Sequence, residues 1–201
     1  MMKLKQQILI PLLFASLTGF MRAQAHDPNQ ALDCFLIDSE RSQIGFIANH
    51  LEFLNVRGAF TEYDVTLRMA GTDWRTLELR ATIHTPSIYT GRGILDDNLR
   101  SVDYFEVDTY PEITFLSNGV VPHEAGYLLS GYLTMKNVTK EVILPLTILD
   151  AETDQRGHRR IRLQLGSELN RHTFGVGHRG MPDRLINDMV RLDVQLEAIR
   201  Q

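Results

Sequence analysis

The chain has 201 residues, a formal net charge of −4 and a single cysteine. One cysteine excludes an internal disulfide, so packing alone must hold the fold. The acidic balance argues against general nucleic-acid binding, which draws on Lys and Arg at phosphates.

Met1 to Lys5 carries Lys3 and Lys5, and an apolar run extends from Ile8 to Phe20. Ala23-Gln24-Ala25 then fits a small-residue cleavage site. A positive start, a short apolar middle and an A-x-A end describe a secretory signal peptide over 1–25. The run is short for a membrane span, and Pro11 and Gly19 interrupt it. The expected product is a free chain, residues 26–201, in the periplasm. Loss of Lys3, Lys5 and Arg22 takes its charge from −4 to −7. That length suffices for one domain with its own core. Cys34, in an apolar start, is expected to be a buried small hydrophobe.

Alternation dominates the rest of the chain. Leu77, Leu79, Ala81 and Ile83 share one face of 76–84. Ile161, Leu163 and Leu165 do so in 159–169, and Val190, Leu192, Val194, Leu196 and Ala198 in 190–199. Period-two alternation predicts strands with one dry and one wet face. Less regular strands are expected at 33–37, 41–50, 56–69, 112–120, 126–136 and 139–149. One wet face per strand argues for antiparallel pairing. Nine such segments suggest a barrel or a sandwich, and a barrel of about eight strands has room for side chains or one slender ligand.

Two stretches break the rhythm. Gly91 to Asp108 has Ile94, Leu95, Leu99, Val102 and Phe105 at roughly helical spacing. Asn170 to Asp188 is a Gly-rich link with a short helix expected after Pro182. Long loops in a compact domain usually have a job, and these two are expected to cap the barrel openings.

Catalytic patterns are weak. No G-x-S-x-G, P-loop or G-x-G-x-x-G occurs. The seven histidines form no tight metal spacing, so no metal, catalytic residue or required cofactor is assigned. The acids Asp103, Glu106 and Asp108 could be paired for acid–base work. The simpler reading is structural: Ser101 caps a turn, an acid complements the helix dipole, and Pro111 starts the next strand. Aromatics gather at segment joins. Patterning leaves open whether they fill a core or line a tunnel.

Five stretches together carry a family resemblance. They are Ser42–Tyr63, Thr85–Gly91, Leu99–Phe115 ("LRSVDYFEVDTYPEITF"), Leu129–Leu146 and Leu169–Gly177 ("LNRHTFGVG"). In this order they resemble the YceI family over nearly all of residues 26–201. The resemblance implies a mainly β fold, an extended antiparallel eight-stranded lipocalin-like β-barrel with short capping helices. It implies an exported binding protein, not an enzyme, that sequesters or carries an isoprenoid quinone or polyprenyl phosphate in an apolar tunnel. The bound lipid is then a ligand, not a cofactor. An enzyme acting on such a lipid, a fatty acid or fatty amide binder, and a filled barrel acting through its surface are the alternatives.

By position, the resemblance implies a lining of Phe46, His50, Phe53, Val56, Phe60, Leu95, Leu99, Phe105, Leu133 and Phe174. Arg57, Asn98, Arg100, Asn170 and Arg171 are the polar candidates at the mouths. Arg could hold a phosphate or carbonyl head. For Arg100 and Arg171 a structural pair with an acid is the rival reading. Three positions depart from the family pattern: Asn98 where His is usual, Asn137 where Gly is usual, and Thr173 where Asp is usual. Asn137 can still adopt a left-handed turn. The resemblance also allows a homodimer and a brief membrane contact during loading.

Overall fold

The computed structural model describes residues 31–50, 54–153, 155, 157–177 and 186–201. The expected signal peptide and the helix after Pro182 lie outside them.

Among the described residues the strands are β1 (Asp33–Ile37), β2 (Gln43–His50), β3 (Leu54–Phe60), β4 (Tyr63–Met69), β5 (Glu78–His84), β6 (Ile88–Tyr89), β7 (Glu112–His123), β8 (Gly126–Met135), β9 (Val138–Thr153), β10 (Arg159–Asn170) and β11 (Ile186–Arg200). Among the same residues one helix, α1 (Gly93–Arg100), and three 3₁₀ turns, η1 (Trp74–Thr76), η2 (Thr85–Ser87) and η3 (Arg171–Phe174), interrupt them. All pairings are antiparallel. The ring β1-β4-β5-β7-β8-β9-β10-β11 closes through β1–β11, which is the expected eight-stranded barrel.

The described residues form eleven strands instead of the expected nine, because long strands bend. β1 and β2 lie end to end along β11, pairing with Ala198–Arg200 and Ile186–Gln195 respectively. The strand expected over 56–69 breaks at Thr61–Glu62 into β3, paired with β2, and β4, paired with β1. β5 turns through η2 into β6, which pairs with β3. Ladder bonds are lost at such corners and must be replaced. Ser42 Oγ donates to Glu197 O (3.3 Å) and accepts from Glu197 N (2.9 Å). Thr61 Oγ1 donates to Ser87 O (3.2 Å), Ser87 Oγ accepts from Glu62 N (3.0 Å), and Thr85 Oγ1 donates to Tyr110 O (2.6 Å). The buried Glu197 carboxylate takes Arg160 Nη1 at 2.5 Å and Arg41 Nη1 at 3.2 Å. Charge-assisted bonds of this kind offset its desolvation.

The alternation expected in β5, β10 and β11 is present. Leu77, Leu79, Ala81 and Ile83 are buried, as are Ile161, Leu163 and Leu165. In β11 Leu196 and Ala198 are buried, whereas Val190, Leu192 and Val194 are only half-buried, because they face a hollow. Cys34 corrects its expectation. It is a half-buried free thiol, since Phe35 takes the inward position of β1 and Cys34 sits opposite Arg68.

The α1 region also differs from its pattern. Leu95, Leu99 and Phe105 turn inward, but Ile94 is 91% exposed and Val102 62%. The helix ends at Arg100, with Ser101 N donating to Asn98 O, so Val102 leaves the helical frame. In the first turn the buried place goes to Asp96. Its Oδ1 accepts from Thr90 N (2.8 Å) and Thr90 Oγ1 (2.5 Å), tying α1 to the end of β6.

Candidate functional site: an apolar cavity over a filled floor

The barrel encloses a cavity of about 230 Å³. Inward positions of β2, β3, β4, β5, β7, β8, β9, β10 and β11 wall it, and α1, the 104–105 turn and η3 complete it. The question of filled core or lined tunnel resolves into both. One end of the barrel is solid and the other hollow.

Two glycines keep the hollow open. Phe46 lies across Gly58 on the neighbouring strand, so close that a Cβ there would stand 2.4 Å from Phe46 Cζ. Phe115 lies over Gly131 in the same way, 2.5 Å from a Cβ built there. Each ring therefore lies against the wall instead of projecting into the lumen. Phe46, Phe60 and Phe105 continue as a chain of ring contacts, 6.0 Å and then 5.7 Å between centroids.

The wall has two seams, each covered by a non-strand segment. β6 pairs with β3, β7 pairs with β5, and no ladder joins β6 to β7 among the described residues. The segment from α1 to Tyr110 covers that seam. Glu106 organises it at φ 49°: its N–H donates to Ser101 O, and its carbonyl accepts from Thr109 N and Tyr110 N. Lys136 Nζ donates to Tyr104 O (2.9 Å) and stands 3.5 Å from Glu106 Oε2, which pins this cover to the β8–β9 hairpin. Glu106 thus has a structural place, but not the expected one: Ser101 ends α1 instead of starting a helical turn, and Glu106 meets Lys136 instead of a helix dipole. That hairpin turns on Lys136 (φ 46°) and Asn137 (φ 60°), so Asn137 takes the left-handed conformation expected of it.

The second seam lies between β9 and β10. Their ladder runs from Arg159↔Thr153 to Leu165↔Leu146. Ser167 Oγ donates to Ile143 O just above it, so Ile143 and, two residues on, Pro145 turn their backbone toward β10. Pro145 has no N–H to continue the ladder there. η3 fills the gap, with Phe174 buried and lining the cavity.

Eight of the ten expected lining residues stand in the wall: Phe46, Val56, Phe60, Leu95, Leu99, Phe105, Leu133 and Phe174. Phe53 and the His50 side chain lie outside the described residues. The polar set is placed differently. Arg57 and Asn98 are exposed and away from the lining. Arg100 donates to Pro86 O (2.9 Å) and Ile88 O (2.7 Å) and meets Asp97 at 3.2 Å, holding α1 to the β5–β6 corner. Asn170 caps η3 by accepting from His172 N. Arg171 is buried in the wall. Its guanidinium donates to the carbonyls of Val176, Ile186 and Asn187 at 3.2–3.3 Å. A structural role accounts for Arg100, Asn170 and Arg171, because the carbonyls freed at corners and seams need donors. Thr173 Oγ1 donates to Asn170 O (2.7 Å) at the same turn. Ser101 Oγ likewise donates to Asn98 O at 2.6 Å.

Gly58, Gly131, Asp96 and Lys136 escaped the sequence reading. Their partners depend on cross-strand register or on a cover meeting a hairpin, which no local pattern encodes. Among the described residues no cluster of His, Cys, Asp or Glu could hold a metal.

Fold and cavity together define a closed antiparallel β-barrel with an apolar interior, lipocalin-like in form. Comparison with known proteins narrows this: the chain belongs to the YceI family, with the YceI-like domain matching residues 35–198. A UPF0312 protein of Photorhabdus laumondii is 29% identical over 138 residues, covering 69% of this chain and 72% of the relative. A UPF0312 protein of Staphylococcus aureus is 34% identical over 107 residues, covering 53% and 60%. Among solved structures, Burkholderia cenocepacia BcnA aligns with TM-score 0.72 at 21% identity, covering 80% of this chain and 98% of BcnA. A polyisoprenoid binding domain from Saccharophagus degradans aligns at TM-score 0.59 and 16% identity, covering 85% and 99%.

Proposed function

We propose that the protein binds a long apolar lipid of the isoprenoid class, burying its chain in the barrel without a covalent step, and serves as a periplasmic carrier or store. The observation that carries this reading is the cavity, whose lining side chains are apolar apart from the carbonyl-bound Arg171 and the phenol of Tyr104. Each CH₂ buried contributes about 0.8 kcal/mol, so one five-carbon isoprene unit contributes roughly 4 kcal/mol before the cost of association. A few units then suffice for binding with no polar contact. The likeness to a polyisoprenoid binding domain supports the same ligand class. An apolar wall favours holding a chain over bond-making chemistry on it.

Native mass spectrometry and solvent extraction of protein purified from its own host test the reading. The expected result is a co-purifying isoprenoid lipid in a chain that begins at His26 and fractionates with the periplasm. A protein that is repeatedly empty, and takes up neither a quinone nor a polyprenyl probe, overturns it.

A further inference from the structure

The boundary between hollow and solid falls at the same inward step on strand after strand. In β4, Val65 lines the cavity and Leu67, the next inward residue, is fully buried. The same change occurs from Leu144 to Leu146 in β9, from Leu165 to Leu163 in β10 and from Leu196 to Ala198 in β11. In β8 it falls between Leu133 and Leu129, with Gly131 between them. Beyond this layer the solid end is closed again. Phe35 fills it, and Arg159 stacks 5.9 Å from the rings of both Phe35 and Trp74. The hollow is therefore a dead end. Among the described residues its wall holds one cation, Arg171, whose guanidinium is bound to three carbonyls and faces Asp188 at 3.7 Å, so its charge is already matched.

We propose that this floor is a ruler. A ligand enters tail-first, is selected by the length of its apolar tail up to the layer of Leu67, Leu129, Leu146 and Leu163, and keeps its head group outside the barrel. The proposal rests on reading the cavity as a lipid site. Affinity rises about fourfold for each methylene enclosed and stops rising when the tail meets the floor. A charged head gains nothing by entering, since an unpaired buried charge is costly.

The test is displacement of a fluorescent apolar probe from delipidated protein. The competitors are all-trans prenyl alcohols of increasing length, their monophosphates, and straight-chain alkanols. The expected result is a break in affinity at one length, with alcohol and phosphate of that length within about tenfold of each other. Leu163→Ala deepens the hollow and moves the break to longer chains. Ala81→Leu, at a lining position in β5, moves it to shorter chains and carries the test if Leu163→Ala does not fold. A steady rise across the series overturns the proposal. So does a break unmoved by the folded variants, or a hundredfold preference for phosphate. A break shared by prenyl and alkyl chains supports the ruler but removes the isoprenoid preference from the proposed function. Failure of every chain to bind overturns both.

Discussion

Replacing Gly58 with alanine tests how the lumen stays open. The added methyl would stand 2.4, 2.7 and 3.0 Å from three atoms of the Phe46 ring. Ordinary contact is 3.4–4 Å, so the ring must move by about an ångström. Gly58 is on one side of it and the cavity is open to it, so the ring moves inward. The expected cost in stability is modest, about 1 kcal/mol, at the low end of overpacking because a side chain yields and not the backbone. The larger effect is on capacity. A ring displaced into the space of one or two methylenes removes about 0.8–1.6 kcal/mol of burial, a roughly 4- to 15-fold loss of affinity. Fluorescent-probe titration beside thermal denaturation measures both. The pair Gly58→Ala with Phe46→Leu should recover affinity, since leucine leaves room for the methyl. Unchanged affinity in the single variant would refute the account of the glycine as the ring's resting place.

Gly131→Ala should behave differently. A Cβ there meets Leu116 O at 2.6 Å as well as the Phe115 ring, and backbone cannot swing aside. Differential scanning calorimetry should show destabilisation of about 1–3 kcal/mol. Lys136→Met should free the cover over the β6–β7 seam. Loss of a charge-assisted bond to Tyr104 O lowers stability by about 1–2 kcal/mol, and stopped-flow release of a bound probe should quicken while stoichiometry holds. Burial raises the Tyr63 phenol above its ordinary pKa, and its hydroxyl donates to Ser42 O at 2.8 Å. The unfolded chain then loses this proton first. Stability is therefore complete below about pH 10 and falls as pH rises through the higher folded value. Tyr63→Phe should flatten that alkaline fall in denaturant midpoints taken from pH 8 to 11.

Much of the fold was legible in the residues. The alternation of Ile161, Leu163 and Leu165 and of Val190 to Ala198 placed two strands and their inward faces, because a strand's side chains obey a period of two wherever it pairs. Lining positions such as Phe46, Phe60 and Phe105 were reachable through the family motifs. The polar candidates were not. Arg100 and Arg171 could be read as head-group ligands or as structural partners of an acid, because an arginine's donors carry no mark of their acceptor; here they face Asp97 and Asp188, and bind carbonyls set free by corners and seams. Val102 looked like core for a related reason: the helical period is a property of an intact helix, and this helix stops at Arg100. Ile94 looked like core too, but Asp96 takes the buried place in the first turn.

The residues alone determined which side chains point inward along the regularly alternating strands, and that Asn137 could turn the chain. Those are consequences of local backbone geometry. Whether an inward leucine meets another side chain or empty space depends on what eight strands bring to the same level. Leu165 and Leu163 are two steps along one strand, with the same chemistry and the same direction, yet one lines a cavity and the other is its floor. Only the closed barrel distinguishes them, because packing is decided across strands and not along them.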